Sequence, residues 1–181
     1  MREIVTREEL DEFIREYKRL TSKIPPKSMK KYKGRAFSKI MCNIISKHLP
    51  SNYEVIEQGW VDGHPNELDL IIVKKTTNVD PVDPAVQKEA VVCTCELKAS
   101  GIMENPEKTQ RTLMNMQERI EHDTGKPFIY ITLYENIANS EATRKALGKN
   151  AFILTSGKQS DPTTFPDEWV RFISTLIFLA G

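Results

Sequence analysis

The chain has 181 residues, of which 39% are hydrophobic and 28% charged, and its net charge is +1. This length and balance suit a single domain, residues 1–181, with one sizeable core, and they exclude a largely disordered chain. No run of about 18 or more apolar residues exists to cross a membrane, and MREIVTREEL carries no apolar signal segment, so a reducing cytoplasm is the expected compartment.

In chain order, TREELDEFIREYKRL (6–20) predicts a helix. Thr6 and Glu9 form a capping box, and Leu10, Phe13, Ile14 and Tyr17 form the apolar stripe. Ile24-Pro25-Pro26 breaks it, and a basic loop runs to Gly34. Phe37, Ile40, Met41, Ile44 and Ile45 recur at helical spacing and predict a second helix over 35–49. Three strands follow, at 53–61 with a bulge expected at Gly59, at 67–75 and at 90–98. A long Pro-interrupted loop, TTNVDPVDPAVQKE, links the last two. Pro106 starts a helix over 106–123 and Gly125 closes it. A strand at 128–134, a short helix at 140–147, a strand at 151–155 and a helix starting at Pro166 complete the chain. Trp169, Phe172, Ile173, Leu176 and Ile177 on that last helix suit either a subunit contact or core packing. Trp60 and Trp169 read as core residues. The three strands read as an antiparallel meander, and the crossover helix returns the next strand beside it. The expected fold is α/β, a mixed central sheet flanked by helices.

Charge is distributed unevenly. Residues 1–50 hold 13 Lys+Arg against 6 Asp+Glu, whereas 51–181 hold 13 against 19. From Lys18 to Tyr53 there are ten basic residues and no acid, among them Lys27, Lys30, Lys31, Lys33, Arg35 and Lys39. Such a stretch suits a polyanion such as DNA, and equally a solvated helix and loop. Cys42, Cys93 and Cys95 have apolar neighbours and no zinc-module spacing, and read as buried thiols. His48, His64 and His122 are scattered, and His64 reads as a loop histidine.

The chemistry concentrates on two oily strands. HPNELDLIIV (64–73) places Glu67 and Asp69 on one face, and VVCTCELKAS (91–100) places Glu96 and Lys98 on one face with Thr94 and Val92. Antiparallel pairing sets the start of the first beside the end of the second. Three carboxylates gathered there repel one another unless a hard cation joins them, and Mg²⁺ is the usual choice, with Mn²⁺ as a substitute. Lys98 beside such an ion suits phosphodiester hydrolysis, by orienting or deprotonating a water or by neutralising transition-state charge. A surface salt bridge of Lys98 with Glu96 or Asp69 is the alternative.

Glu67-Leu68-Asp69 followed by Glu96-Leu97-Lys98 resembles the motif of the PD-(D/E)XK nuclease superfamily. The element order over 34–134 also resembles its restriction-endonuclease-like core of helix, three-strand meander, helix and strand. Residues 1–33 and 135–181 stand as extensions. The resemblance implies Asp69 and Glu96 as metal ligands, the main-chain carbonyl of Leu97 as a third, and Lys98 serving the attacking water. Leu68 stands where the motif has proline. The first core helix has Ser38 where many members carry a glutamate, so Glu67, or Glu12 or Glu16 of the N-terminal helix, would compensate, or one metal ion would suffice. Gln110 and Gln117, seven apart on one helix, are candidates for an accessory polar residue. The expected function is a Mg²⁺-dependent, restriction-type DNA endonuclease, working as a homodimer. The alternatives are a junction-resolving, repair or RNA-directed nuclease, or a catalytically silent nucleic-acid-binding module.

Overall fold

The computed structural model describes residues 4–22, 29–75, 85–99, 105–134, 136–158 and 161–181, with side chains at 29–31, 137, 157–158 and 161–162 left undescribed. Helices α1 (Arg7–Ser22) and α2 (Met29–His48) lead into strands β1 (Tyr53–Val61), β2 (Leu68–Lys74), β3 (Ala85–Val86) and β4 (Val91–Lys98). Helix α3 (Pro106–Thr124), β5 (Phe128–Thr132), α4 (Ile137–Leu147) and β6 (Ala151–Ile153) follow. A hairpin of β7 (Thr155–Lys158) and β8 (Asp161–Thr164) precedes helix α5 (Pro166–Ala180).

The main sheet has the order β3-β1-β2-β4-β5-β6. The meander β1-β2-β4 is antiparallel, as expected, and β5 joins β4 in parallel after the α3 crossover. The α/β reading, a mixed central sheet with helices on both faces, is therefore what the chain adopts. One face packs against α1, α2 and α5 through Phe13, Phe37, Met41, Trp169 and Phe172, with Cys93, Cys95 and Leu97 beneath them. The rings of Phe13 and Trp169 meet edge-on at 4.8 Å. The other face packs Ile71, Val73, Phe128 and Tyr130 against Leu113 and Ile120 of α3 and Leu147 of α4.

Local chemistry sets the element ends. Thr6 N–H donates to Glu9 Oε2 at 2.8 Å and Glu9 N–H donates to Thr6 Oγ1 at 3.3 Å, the reciprocal box that satisfies two orphan donors of α1. Asn105 Oδ1 accepts from Lys108 N–H at 2.9 Å to cap α3. Gly125, at φ +66°, ends that helix in the left-handed conformation that glycine adopts without cost.

Several elements differ from the sequence reading. Helix α2 begins at Met29, six residues early, because Gly34 sits on an open face where an added Cβ would meet no atom within 4 Å. A solvent-facing glycine there costs about 1 kcal/mol and does not break a helix. The link 76–89 contains β3, which pairs in parallel with Trp60 and Val61; its residues 76–84 lie outside the described residues. Register is unbroken across Gly59, since Glu57 faces Leu70 and Gly59 faces Leu68. The irregularity falls instead on Gln58, at φ +54°. A shift between Ile72 and Val73 puts an extra residue in β4, so Val92 packs against the core on the α1-α2-α5 side of the sheet rather than on the face of Glu96. Trp60 is 38% exposed, because the edge strand beside it is only two residues long. Helix α4 starts at Ile137, three residues early, with Asn136 accepting from Asn139 N–H at 2.9 Å. The predicted last strand splits into β6 and the start of the β7-β8 hairpin. On α5, Trp169, Phe172, Ile173 and Leu176 are core residues, which removes them as a subunit contact; of the five apolar residues named from the sequence, Ile177 alone is exposed.

The topology brings several ends together. The end of β1, the start of β2 and the end of β4 share one end of the sheet, and β5 and β6 also finish there. Helix α2 enters β1 through a short turn and runs antiparallel to it, with the charge of Glu57 felt at Cys42 in mid-helix. Its basic N-terminal half therefore reaches that same end. Helix α3 must travel back along the sheet to feed β5, so its N-terminus starts there as well.

Candidate metal centre

Asp69 sits one residue into β2 and Glu96 two residues from the end of β4. Leu70 faces Cys95 and Ile71 faces Thr94; the same register carried back one residue sets Asp69 opposite Glu96. Asp69 Oδ2 accepts from Leu97 N–H at 2.7 Å. Lys98 Nζ donates to Glu96 Oε1, and Lys98 is more open to solvent than Glu96, with side chains 38% and 16% exposed. Burial, and after it the Glu96 carboxylate, push the Asp69 carboxyl above the ordinary carboxylate range, against the pull of Leu97 N–H and Lys98. An apolar bed of Leu97, Cys95 and Leu70 lies beneath on the opposite face.

Of the sequence-derived residues, the structure brings Asp69, Glu96, Leu97 and Lys98 together. Glu67 stands exposed just before β2, and among the described residues no three His, Cys, Asp or Glu side chains gather to hold a metal. Ser38 is 4% exposed and its hydroxyl has no hydrogen-bond partner. It lies on α2, which covers the sheet face opposite to Glu96 and Lys98. Glu16 is held by Arg19 at 2.6 Å and Glu12 lies 4.0 Å from Lys47, both on α1. Gln110, in the second turn of α3, donates to Met114 Sδ at 3.9 Å, and Gln117 donates to Glu121 Oε1 at 3.2 Å, facing α5 rather than the carboxylates. Arg35 and Lys39 are exposed on α2 and Lys33 is half-buried. Lys30 and Lys31 belong to α2 by backbone alone, and Lys27 lies outside the described residues.

Two features had no sequence signal. The hydroxyls of Thr94 and Thr109 are buried without a hydrogen-bond partner, Thr94 on the face of Glu96 and Thr109 in the first turn of α3. His64 is not an open loop residue: it is buried, with Nδ1 3.0 Å from Asp123 Oδ2 at the end of α3. Asp123 also meets His122 Nδ1 at 3.1 Å, and the two histidines, His122 first, hold its carboxyl below the ordinary range.

No protein-family model and no curated protein matches the chain. Solved structures do. NucC of P. aeruginosa in its cAAA-bound form superposes with a TM-score of 0.61 at 11% identity, over 96% of this chain and 88% of that one. The cAAA-bound form of E. coli NucC gives 0.60 at 11% identity over 96% and 87%. Its apo form gives 0.51 at 12% identity over 98% and 93%. At such identities the likeness is one of fold, and that fold is restriction-endonuclease-like. No helix among the described residues is long and apolar enough to cross a membrane.

Proposed function

We propose that the chain is a Mg²⁺-dependent DNA endonuclease of the PD-(D/E)XK type, restriction-type in action, working in the cytoplasm, with Mn²⁺ able to replace Mg²⁺. The observation that carries this reading is the Asp69–Glu96 pair with Lys98, set at one sheet end by the β2–β4 register. The donor set suits the ion. Two carboxylates face each other, one driven by burial and by its neighbour toward holding a proton, and a hard divalent cation relieves that repulsion. Asp69, Glu96 and the carbonyl of Leu97 would hold it, with Glu67, exposed just before β2, as a further candidate ligand. Mg²⁺ keeps several waters, so two carboxylates suffice for one ion. When bound, the ion supplies positive charge to the phosphate oxygens.

The chain's own residues do the rest. Leu97 N–H fixes the Asp69 carboxylate, leaving its other oxygen for the ion. Lys98, released from Glu96, orients the attacking water or neutralises charge building on the phosphate. Gln110 is the accessory candidate, Gln117 is the less suited of the two glutamines, and Ser38, buried on the opposite face of the sheet, is set aside. Lys33, Arg35 and Lys39 of α2 grip phosphates, with Lys27, Lys30 and Lys31 as further candidates from the sequence, which gives affinity and register but little sequence reading. Cutting both strands of a duplex calls for two centres, hence a homodimer.

The test is cleavage of supercoiled plasmid with Mg²⁺, with EDTA and by Asp69→Ala, each with and without cAAA, because NucC was solved in a cAAA-bound form. Metal-dependent nicking or linearisation, lost in Asp69→Ala, is the expected result, and discrete fragments mark restriction-type action. Cleavage that survives Asp69→Ala overturns the assignment. The absence of any acid on α2 favours a second reading, a catalytically silent nucleic-acid-binding module. That reading predicts no Mg²⁺ binding and no effect of Lys98→Ala.

A further inference from the structure

Among the described residues Gln58 is the one non-glycine with a positive φ, at +54°. A side chain other than glycine in that region is strained, and asparagine or glycine is the ordinary occupant. Its location is specific. Glu57 pairs with Leu70 and Gly59 with Leu68, so Gln58 stands directly across from Asp69, and this one pair drops out of an otherwise continuous ladder.

Side alternation reverses on both strands at that pair. On β1, Val55 packs with the α1-α2-α5 cluster, yet Val61, six residues on, belongs to the α3-α4 cluster. On β2, Leu70 and Ile72 belong to the first cluster, yet Leu68 belongs to the second. Uninterrupted strands would keep Val55 with Val61 and Leu68 with Leu70, since residues an even number apart share a face. No residue is inserted, because register is the same on either side. The left-handed turn at Gln58 thus lets the two strands twist over together, with Asp69 at the pivot.

From this juxtaposition we infer that Gln58 is a positioning residue for Asp69, acting through its backbone conformation rather than its side chain. The reversal keeps Leu68 in the core while Asp69 swings to the sheet end, where it accepts from Leu97 N–H and confronts Glu96. Strain of this kind persists where the surroundings over-determine it, and it concentrates at functional sites. The inference deepens the proposed nuclease reading and rests on it for the purpose of Asp69.

The test needs no metal and no substrate. The Leu97 amide is bonded to Asp69, so its hydrogen exchange reports whether Asp69 is held in place. Gln58→Gly keeps the left-handed conformation and removes the strain; Gln58→Ala keeps a Cβ and hence the same backbone cost while removing the side-chain amide, and the β-branched Gln58→Val disfavours the conformation most. The expected result is Leu97 protection at or above wild type in Gln58→Gly, close to wild type in Gln58→Ala, and lost roughly 10-fold or more in Gln58→Val. Amides of Ile129 and Ile131 in β5 should keep their protection throughout. Equal loss in the Gly and Ala variants overturns the inference in favour of a side-chain role. Unchanged exchange in Gln58→Val, or exchange quickened alike across the sheet, also overturns it. Because plasmid cleavage plays no part, failure of the nuclease reading would show separately, as wild-type protein that neither cuts DNA nor binds Mg²⁺.

Discussion

The two faces of the central sheet are built to different ends. Beneath α1, α2 and α5 the core is closed and apolar: Phe13, Phe37, Met41, Trp169 and Phe172 interlock, and even Trp169 finds a partner for its indole N–H, the Leu154 carbonyl at 3.1 Å. Beneath α3 the face is apolar in the middle, but charged groups gather toward its end: Asp69, Glu96 and Lys98. One face holds the fold together. The other tolerates a carboxyl pushed out of its ordinary range and a strained residue across from it. Such a division is the pattern of a scaffold that carries a site at a cost in stability.

The sharpest way to break this comparison is to cut into each face in turn. Trp169→Ala should cost about 3–5 kcal/mol, as large-to-small changes in closed cores do. For a chain of this size that lowers the melting temperature by roughly 10 °C. Calorimetry reads the loss, and cleavage per folded molecule should be unchanged.

On the other face the sign reverses. The folded-state pKa of Asp69 lies above its unfolded value, so the folded protein holds that proton more tightly. Stability therefore falls as pH rises from the unfolded pKa to the raised folded one, and stays lower above it. Asp69→Asn carries no such charge and should melt about 2–4 °C higher at pH 7, the effect of ~1 kcal/mol at this length. The advantage should vanish as pH falls below the ordinary carboxylate range, where wild-type Asp69 is protonated in both states. Melting curves across pH read this directly, and an Asp69→Asn protein less stable at pH 7 would contradict it.

The smallest effect belongs to the basic helix. Arg35→Ala and Lys39→Ala should each weaken DNA binding and reduce the slope of log affinity against log salt by about 1, without altering cleavage at saturating DNA.

Much of this layout was legible in the sequence because it rests on short-range rules. Period-two alternation put Glu96 and Lys98 on one face, antiparallel order brought Asp69 to them, and Thr6, Pro106 and Gly125 marked helix ends. What escaped depends on context. Gly34 looks like a stop until the helix is seen to expose it, and Trp60 looks like core until its neighbour strand proves two residues long. The reversal at Gln58 and the extra residue at Val92 change which face a side chain meets without changing composition. His64 pairs with a residue 59 positions away, a distance that no local pattern spans. Trp169, Phe172, Ile173 and Leu176 form the same apolar stripe whether a helix meets its own core or a second subunit, and only tertiary packing assigns them to the core.

The most direct test of the central claim is Mg²⁺ titration by calorimetry, comparing the wild-type protein with Asp69→Asn. Saturable binding is expected in the wild type and lost in Asp69→Asn, whose fold is intact. Equal binding by both proteins, or none by the wild type with DNA present, would contradict it.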